Sequence, residues 1–306
     1  QFRLCCTCNN GLDHVEVISE LEFEASGLGE AAQNPYQLVP ASSYAASSDD
    51  GLSLSFQGGV YITGNERTTI TFQHVDFGDY GSDEIHLPIF SFSDSLPIEV
   101  WQGIPNLTDK QENTHIPAVP GTKSDQGECL LSDTYRAKSW YNHYQENTFR
   151  LSKRLKGTQD ITIVVYPEIK MSLQGFYFTE IQKAYARLHA SDNTNVTGDT
   201  FTVDGDAIRD IGNNVTIQFQ NMHFDDGGFR AVTICGRSHI AMNTIHVRFT
   251  PADGSGETIN QVIDFPYSDD SQTLTFDLDA VYGHYHLNLI FLPGCKFDLE
   301  WLQFIK

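Results

Sequence analysis

The chain has 306 residues, enough for two ordinary domains that fold without disulfide or metal staples. Its 19 basic and 40 acidic residues give a formal charge of −21, which repels phosphate backbones and anionic lipid, so no nucleic acid and no membrane partner is expected. No stretch approaches the roughly 18 apolar residues of a membrane span, and the N-terminus lacks the charged-then-apolar order of a signal peptide.

The first segment, 1–18, holds Cys5, Cys6 and Cys8, whereas Cys129, Cys235 and Cys295 lie far apart. That is no disulfide framework. With His14 as the one extra nearby ligand, the cluster also falls short of the two spaced pairs of a structural zinc site, so 1–18 is read as a tail or leader. Acidic pairs such as Asp49-Asp50, Asp225-Asp226 and Asp269-Asp270 stand beside Gly or Ser and read as solvated turns.

Alternating apolar and polar residues then predict strands at 52–56, 69–72, 215–219, 244–249 and 274–278, each with one buried and one wet face. Only 179–190 offers a helical pattern, and a marginal one. Thr71 to Gly81 recurs as Gln218 to Gly228 at an offset of 147, and Ile98 and Val100 fall on Ile245 and Val247 at the same offset. Later, Ile161 to Pro167 matches Leu287 to Pro293 at an offset of 126, which leaves extra residues in the first copy between Gly103 and Ser139, read as a long surface loop. Both copies close alike, at Lys170 to Phe178 and Lys296 to Phe304. The expected fold is all-β: two tandem β-sandwich modules, 19–183 and 184–306, after the 1–18 tail.

The run Ser139-Trp140-Tyr141-Asn142-His143-Tyr144 to Leu151, the Lys156-Gly157 turn, the strand Ile161 to Tyr166 and the closing strand resemble the second half of family 6 carbohydrate-binding modules. Glu22-Phe23-Glu24-Ala25 and Gly58-Gly59-Val60-Tyr61-Ile62 resemble their first half. The stretches Val75 to Ile85, Ile211 to Val215, Cys235 to Ser238 and Asn243 to His246 also resemble the C-terminal region of bacterial family 2 β-galactosidases, where two such modules follow the catalytic barrel.

The resemblance implies jelly-roll, galactose-binding-like sandwiches that bind a glycan, galactose-containing ones included, in support of a glycoside hydrolase catalytic domain. It implies a secreted or cell-surface protein of bacterial origin that is itself no enzyme. Carried over, the stacking pair would be Tyr61 and Trp140, with Asn142, His143 and Tyr144 contacting sugar hydroxyls. A structural Ca2+ would be held by Glu22 and Glu24, with Gln174 near the end of the module, and Asp298 or Glu300 as the candidates in the second module.

The chain departs from the family at Lys170-Met171-Ser172, where a sugar-binding Asn is usual, and at Ser268 to Thr273, where no aromatic residue matches Trp140. The second module is therefore expected to be a structural or docking sandwich, or one that uses another face, with Trp301 in its core. Two other readings remain open: a purely structural pair that docks on a catalytic domain, and a jelly-roll polysaccharide hydrolase or lyase, against which stands the lack of a recognisable carboxylate pair.

Overall fold

The computed structural model describes the backbone of residues 5–9 and 14–18 and all atoms of residues 32–64, 67–91, 93–105, 117–138 and 143–306. It divides into two compact units, Gln1–Thr179 and Glu180–Lys306. Both are built from antiparallel strands, and among the described residues there is no α-helix, only short 3-10 turns such as Lys183–Tyr185 within the predicted helical stretch and Ala190–Asp192 at its end. Among the described residues no helix is long and apolar enough to cross a membrane.

In the first unit one sheet has the order Lys123–Ser124, Gln126–Arg136, Ser95–Ile104, Thr158–Val165, Thr68–Asp76, Ala46–Ser47. The facing sheet centres on Ser82–Ser91, which pairs on one side with Gln145–Leu155 and on the other with Met171–Leu173 and Gly175–Phe178. Val60–Ile62 and Ser53–Leu54 extend it from Met171–Leu173. Alternate residues of the two sheets meet in one core that includes Ile70, Phe72, Ile85, Leu87, Ile98, Val100, Ile161, Leu173 and Phe176. Phe72 and Phe176 pack edge to face at 4.9 Å between ring centres.

The second unit runs in the same order. Asn195–Thr197, Val215–Phe224, Gly283–Phe291, Met242–Pro251 and Ile259–Pro266 form one sheet, and Thr202–Asp204, Ala207–Ile211, Phe297–Ile305, Ala231–Ser238 and Gln272–Asp277 the other. Its core is richer in phenylalanine: Phe224, Phe229, Phe249 and Phe304 pack ring on ring at 4.6 to 5.9 Å. Even an irregularity is shared. The ladder slips between Phe72 and Val75 in the first unit and between Phe219 and Met222 in the second, and His74 and Asn221, inside these bulges, take left-handed φ of 55° and 57°.

Two expectations are corrected here. The segment from Gly103 to Ser139 is not one long loop, because Gln126–Arg136 is a strand paired with Ser95–Ile104 along its whole length. A bulge between Cys129 and Leu131 places Cys129, Leu130 and Leu131 all in buried positions and breaks the alternation by which a strand is recognised. Trp301 is only half-buried, with the Arg187 guanidinium 4.3 Å over its ring.

Glu99 is fully buried on the side of its strand away from the main core, beside a small cluster of Trp101, Cys129 and Val164 packed with Ala118. Its carboxylate accepts the Trp101 indole N–H at 2.7 Å, the Ala118 backbone N–H at 2.7 Å, the Arg67 guanidinium at 3.1 Å and the Tyr166 hydroxyl. The four donors replace lost water, which is what a buried charge requires. The Cys129 thiol beside it is pushed up to about 12, first by burial and then by the Glu99 charge. Replacing Glu99→Ala leaves an unpaired guanidinium and three unpaired donors, so chemical denaturation should show a loss of about 3–5 kcal/mol; a loss below about 1 kcal/mol would show that the carboxylate does not hold this cluster.

Candidate functional site

On the sheet of the first unit that centres on Ser82–Ser91, Val60, Ile62, Ile89 and Leu173 face the core. The residues between them face the other way. Strand register sets Ser172 directly opposite both Tyr61 and Phe90, and Tyr61 opposite Ser53, so these side chains form one row on the outer face.

Residues 55–59 fold over this row as a tight turn in which Gln57 and Gly58 both have left-handed φ, 54° and 75°. Ser55 N–H donates to Gly59 O at 2.8 Å, Gly59 N–H to Phe56 O at 3.1 Å, and Ser55 Oγ–H to Ser172 Oγ at 2.9 Å. The turn carries Phe56, whose ring stacks on Tyr144 at 4.4 Å and meets Phe90 edge-on at 5.7 Å. Tyr144 donates its hydroxyl to Phe56 O at 2.9 Å, and burial raises its phenol above the usual range.

The outcome is an aromatic shelf: Phe56 is 42% exposed and Tyr61 38%, and Leu54 beside them is 79% exposed. Exposed Gln57 and half-buried Gln174 flank it, with Gln174 Nε2–H 3.4 Å from Gln57 Oε1. Such a surface offers an apolar ring face with polar amides at its rim.

Of the residues carried over from the resemblance, Tyr61 lies on this shelf, half-exposed. Tyr144 lies beneath it: one ring face is covered by Phe56 and its hydroxyl donates to Phe56 O, so it positions Phe56. His143 is exposed in the bend just before Tyr144. Trp140, Asn142, Glu22 and Glu24 lie outside the described residues. Phe56 was missed because the alternation of 52–56 read as a strand with buried large residues, whereas the strand ends at Leu54 and the turn lifts Phe56 outward.

Farther along the same face, the His86 ring stacks on Tyr177 at 4.4 Å, between Glu146 at 3.1 Å from Nδ1 and Thr179 at 2.8 Å from Nε2. The Tyr177 hydroxyl also donates to Glu146, and that of Thr179 to Glu84 at 2.6 Å. Burial first, and then the Glu146 carboxylate, push the Tyr177 phenol up to about 12. These groups satisfy one another and tie three strands together.

In the second unit both calcium candidates already have partners. Asp298 is taken by His239 at 2.8 Å and by the Asp210 N–H at 2.9 Å, and Glu300 by the Ser271 hydroxyl at 2.6 Å, the Arg209 guanidinium at 3.4 Å and the Cys235 thiol at 3.4 Å. Among the described residues no group of three or more His, Cys, Asp or Glu is arranged to hold a metal ion.

No family model matches the chain, and no curated protein matches it. Solved structures do. A family 6 carbohydrate-binding module of Clostridium cellulolyticum, in complex with xylose, is 20% identical over 40% of this chain and 98% of its own, with a TM-score of 0.35. A β-1,3-glucan-binding module of the same family from Bacillus halodurans is 17% identical over 42% of this chain and 100% of its own, at 0.34. An uncharacterized protein of Listeria monocytogenes, in complex with glucose, magnesium and calcium, is 12% identical over 81% of this chain but only 20% of its own, at 0.33. The all-β sandwich assignment itself rests on the strand order and register above.

The turn under Phe56 has no room for a side chain at Gly59: a Cβ there would lie 2.0 Å from the Tyr144 hydroxyl oxygen and 2.9 Å from Leu173 O. Gly59→Ala should therefore cost about 1–3 kcal/mol in denaturant unfolding and separate Phe56 from Tyr144. Unchanged stability would mean that the turn does not hold the shelf in this way.

Proposed function

We propose that the chain is a non-catalytic carbohydrate-binding protein whose first unit takes a pyranose on the Phe56 and Tyr61 shelf. The observation that carries this reading is the exposure of two aromatic rings, Phe56 on a backbone turn fixed by three hydrogen bonds and Tyr61 on the strand beside it, where folding alone gives no reason to leave them in water. A pyranose has an apolar C–H face that stacks on such rings, while its hydroxyls need a few fixed polar partners, here Gln57 and Gln174. Trp140, Asn142 and His143 belong to the same proposal through the segment that leads into Tyr144.

The finer parts of the proposal come from the sequence resemblance. They are a galactose-containing ligand, service to a β-galactosidase-like catalytic domain of a parent protein, a secreted or cell-surface bacterial setting, and a structural Ca2+ on Glu22 and Glu24. Added Ca2+ should then raise the midpoint of thermal unfolding, and a Glu22→Gln, Glu24→Gln variant should lose that rise.

Leu54, more exposed than either ring, favours a second reading in which the same patch docks on a protein domain. A glycan array followed by calorimetry distinguishes the two. Phe56→Ala and Tyr61→Ala should each weaken glycan binding at least about tenfold, a loss of about 1.4 kcal/mol, while Leu54→Ser leaves it unchanged. Binding that survives both aromatic substitutions rules out the shelf as the sugar site, and release of reducing ends from a polysaccharide would replace the binding reading with the hydrolase one.

A further inference from the structure

The second unit has a cleft of 510 Å3 at one end of its sandwich, lined by Thr200, Asp210, Asn213, His239 and Lys296 around a floor that includes Ile211 and Phe297. We propose that this cleft is a separate saccharide site that takes a neutral sugar edge-on, through its hydroxyl groups and without an aromatic platform. The proposal does not depend on the first-unit shelf, because every lining residue belongs to the second unit.

The wall of the cleft is preorganised by two groups buried behind it. Asp298, 7% exposed, accepts His239 Nε2–H at 2.8 Å through one oxygen and the Asp210 backbone N–H at 2.9 Å through the other. One carboxylate thus fixes the imidazole and holds Asp210 in a left-handed conformation, φ 53°, that a non-glycine residue adopts only when its surroundings impose it. Asn243, fully buried, clamps the backbone of Lys296 from both sides: its Oδ1 accepts the Lys296 N–H at 3.0 Å and its Nδ2–H donates to Lys296 O at 2.9 Å. The His239 N–H donates to the same carbonyl at 3.0 Å.

The functional ends of these residues are uncommitted. Among the described residues, neither the Lys296 ammonium nor the Asp210 carboxylate has a partner, and His239 Nδ1 is left over by the bond through Nε2. Asn213 uses Oδ1 to accept the Gly294 N–H at 2.7 Å, which leaves its NH2 as a donor. The cleft therefore offers a cationic donor, an amide donor and an anionic acceptor on a rigid frame, the set that adjacent sugar hydroxyls, each both donor and acceptor, can satisfy.

Charge selects the neutral ligand. In the cleft one carboxylate, Asp210, stands with one lysine, and the whole chain carries −21, so an acidic sugar gains nothing on entry. Phe297 is fully buried and offers no ring face for stacking.

The test is 1H–15N spectroscopy of the full chain with galactose, xylose and cellobiose as neutral probes and galacturonate as the charged one. A neutral probe should shift the Gly212, Asn213 and Lys296 amides, and should do so equally in the Phe56→Ala, Tyr61→Ala variant. In an Asp210→Asn, Lys296→Met variant the response should weaken at least about tenfold; both side chains are exposed, and Lys296→Met alone serves if the pair unfolds. No shift with any neutral probe, a stronger response to galacturonate, or a response unchanged by the substitutions would each overturn the proposal. Shifts at Ser55 to Gly59 report on the first-unit shelf separately, so the failure of one site is not mistaken for failure of the other.

Discussion

The pairing of the closing strand is the constraint from which the rest of the first unit follows. Met171–Leu173 lies between Val60–Ile62 and Ser82–Ser91, and this register alone sets Tyr61, Ser172 and Phe90 side by side on the outer face. Two residues on, the strand changes partner to Val39–Pro40 at Gly175, where φ is 154° and a Cβ would lie 2.0 Å from Val39 O, so only glycine allows the crossing. Inward, the same strand contributes Met171, Leu173, Phe176 and Phe178 to the core. Hydrophobic burial on one side of the sheet thus fixes, without further cost, the placement of the row on the other.

The second unit obeys the same topology and uses it differently. Ile208 pairs with Leu299 as Val60 pairs with Leu173, but the residue that follows is Arg209, held by Asp204 at 3.6 Å and Glu300 at 3.4 Å, where the first unit has Tyr61. On its outer face Trp301 is covered by Arg187. An ion-pair network thus replaces an exposed aromatic row on the equivalent sheet, while the open cleft lies at the end of the sandwich. Core positions are constrained by packing and outer positions are not, which is why two units with one architecture can present different chemistry.

What was legible in the sequence follows the same division. Val215 to Phe219 and Thr244 to Phe249 alternate cleanly because one face is buried and the other wet, and their strands lie where the pattern puts them. The pattern failed where the outer face is not simply wet. Glu99 and Trp101 are buried on it beneath Ala118, the bulge at Cys129 hid a strand inside an apparent loop, and Trp301 read as core because an arginine, not the interior, covers it. At the candidate site, Leu52 to Phe56 imitates a strand but ends in a turn, and that departure exposes Phe56. Tyr61 and Tyr144 could be named from their motifs; Ser55, Phe56 and Ser172 could not, because they meet those two only through long-range pairing.

The account stands or falls on whether a sugar ring lies against Phe56 and Tyr61. The most direct measurement is of intermolecular nuclear Overhauser effects between the ring C–H protons of a glycan selected on an array and the aromatic protons of the full chain. Contacts from one pyranose face to both Phe56 and Tyr61 are the predicted result. A bound glycan whose protons contact neither ring would contradict it.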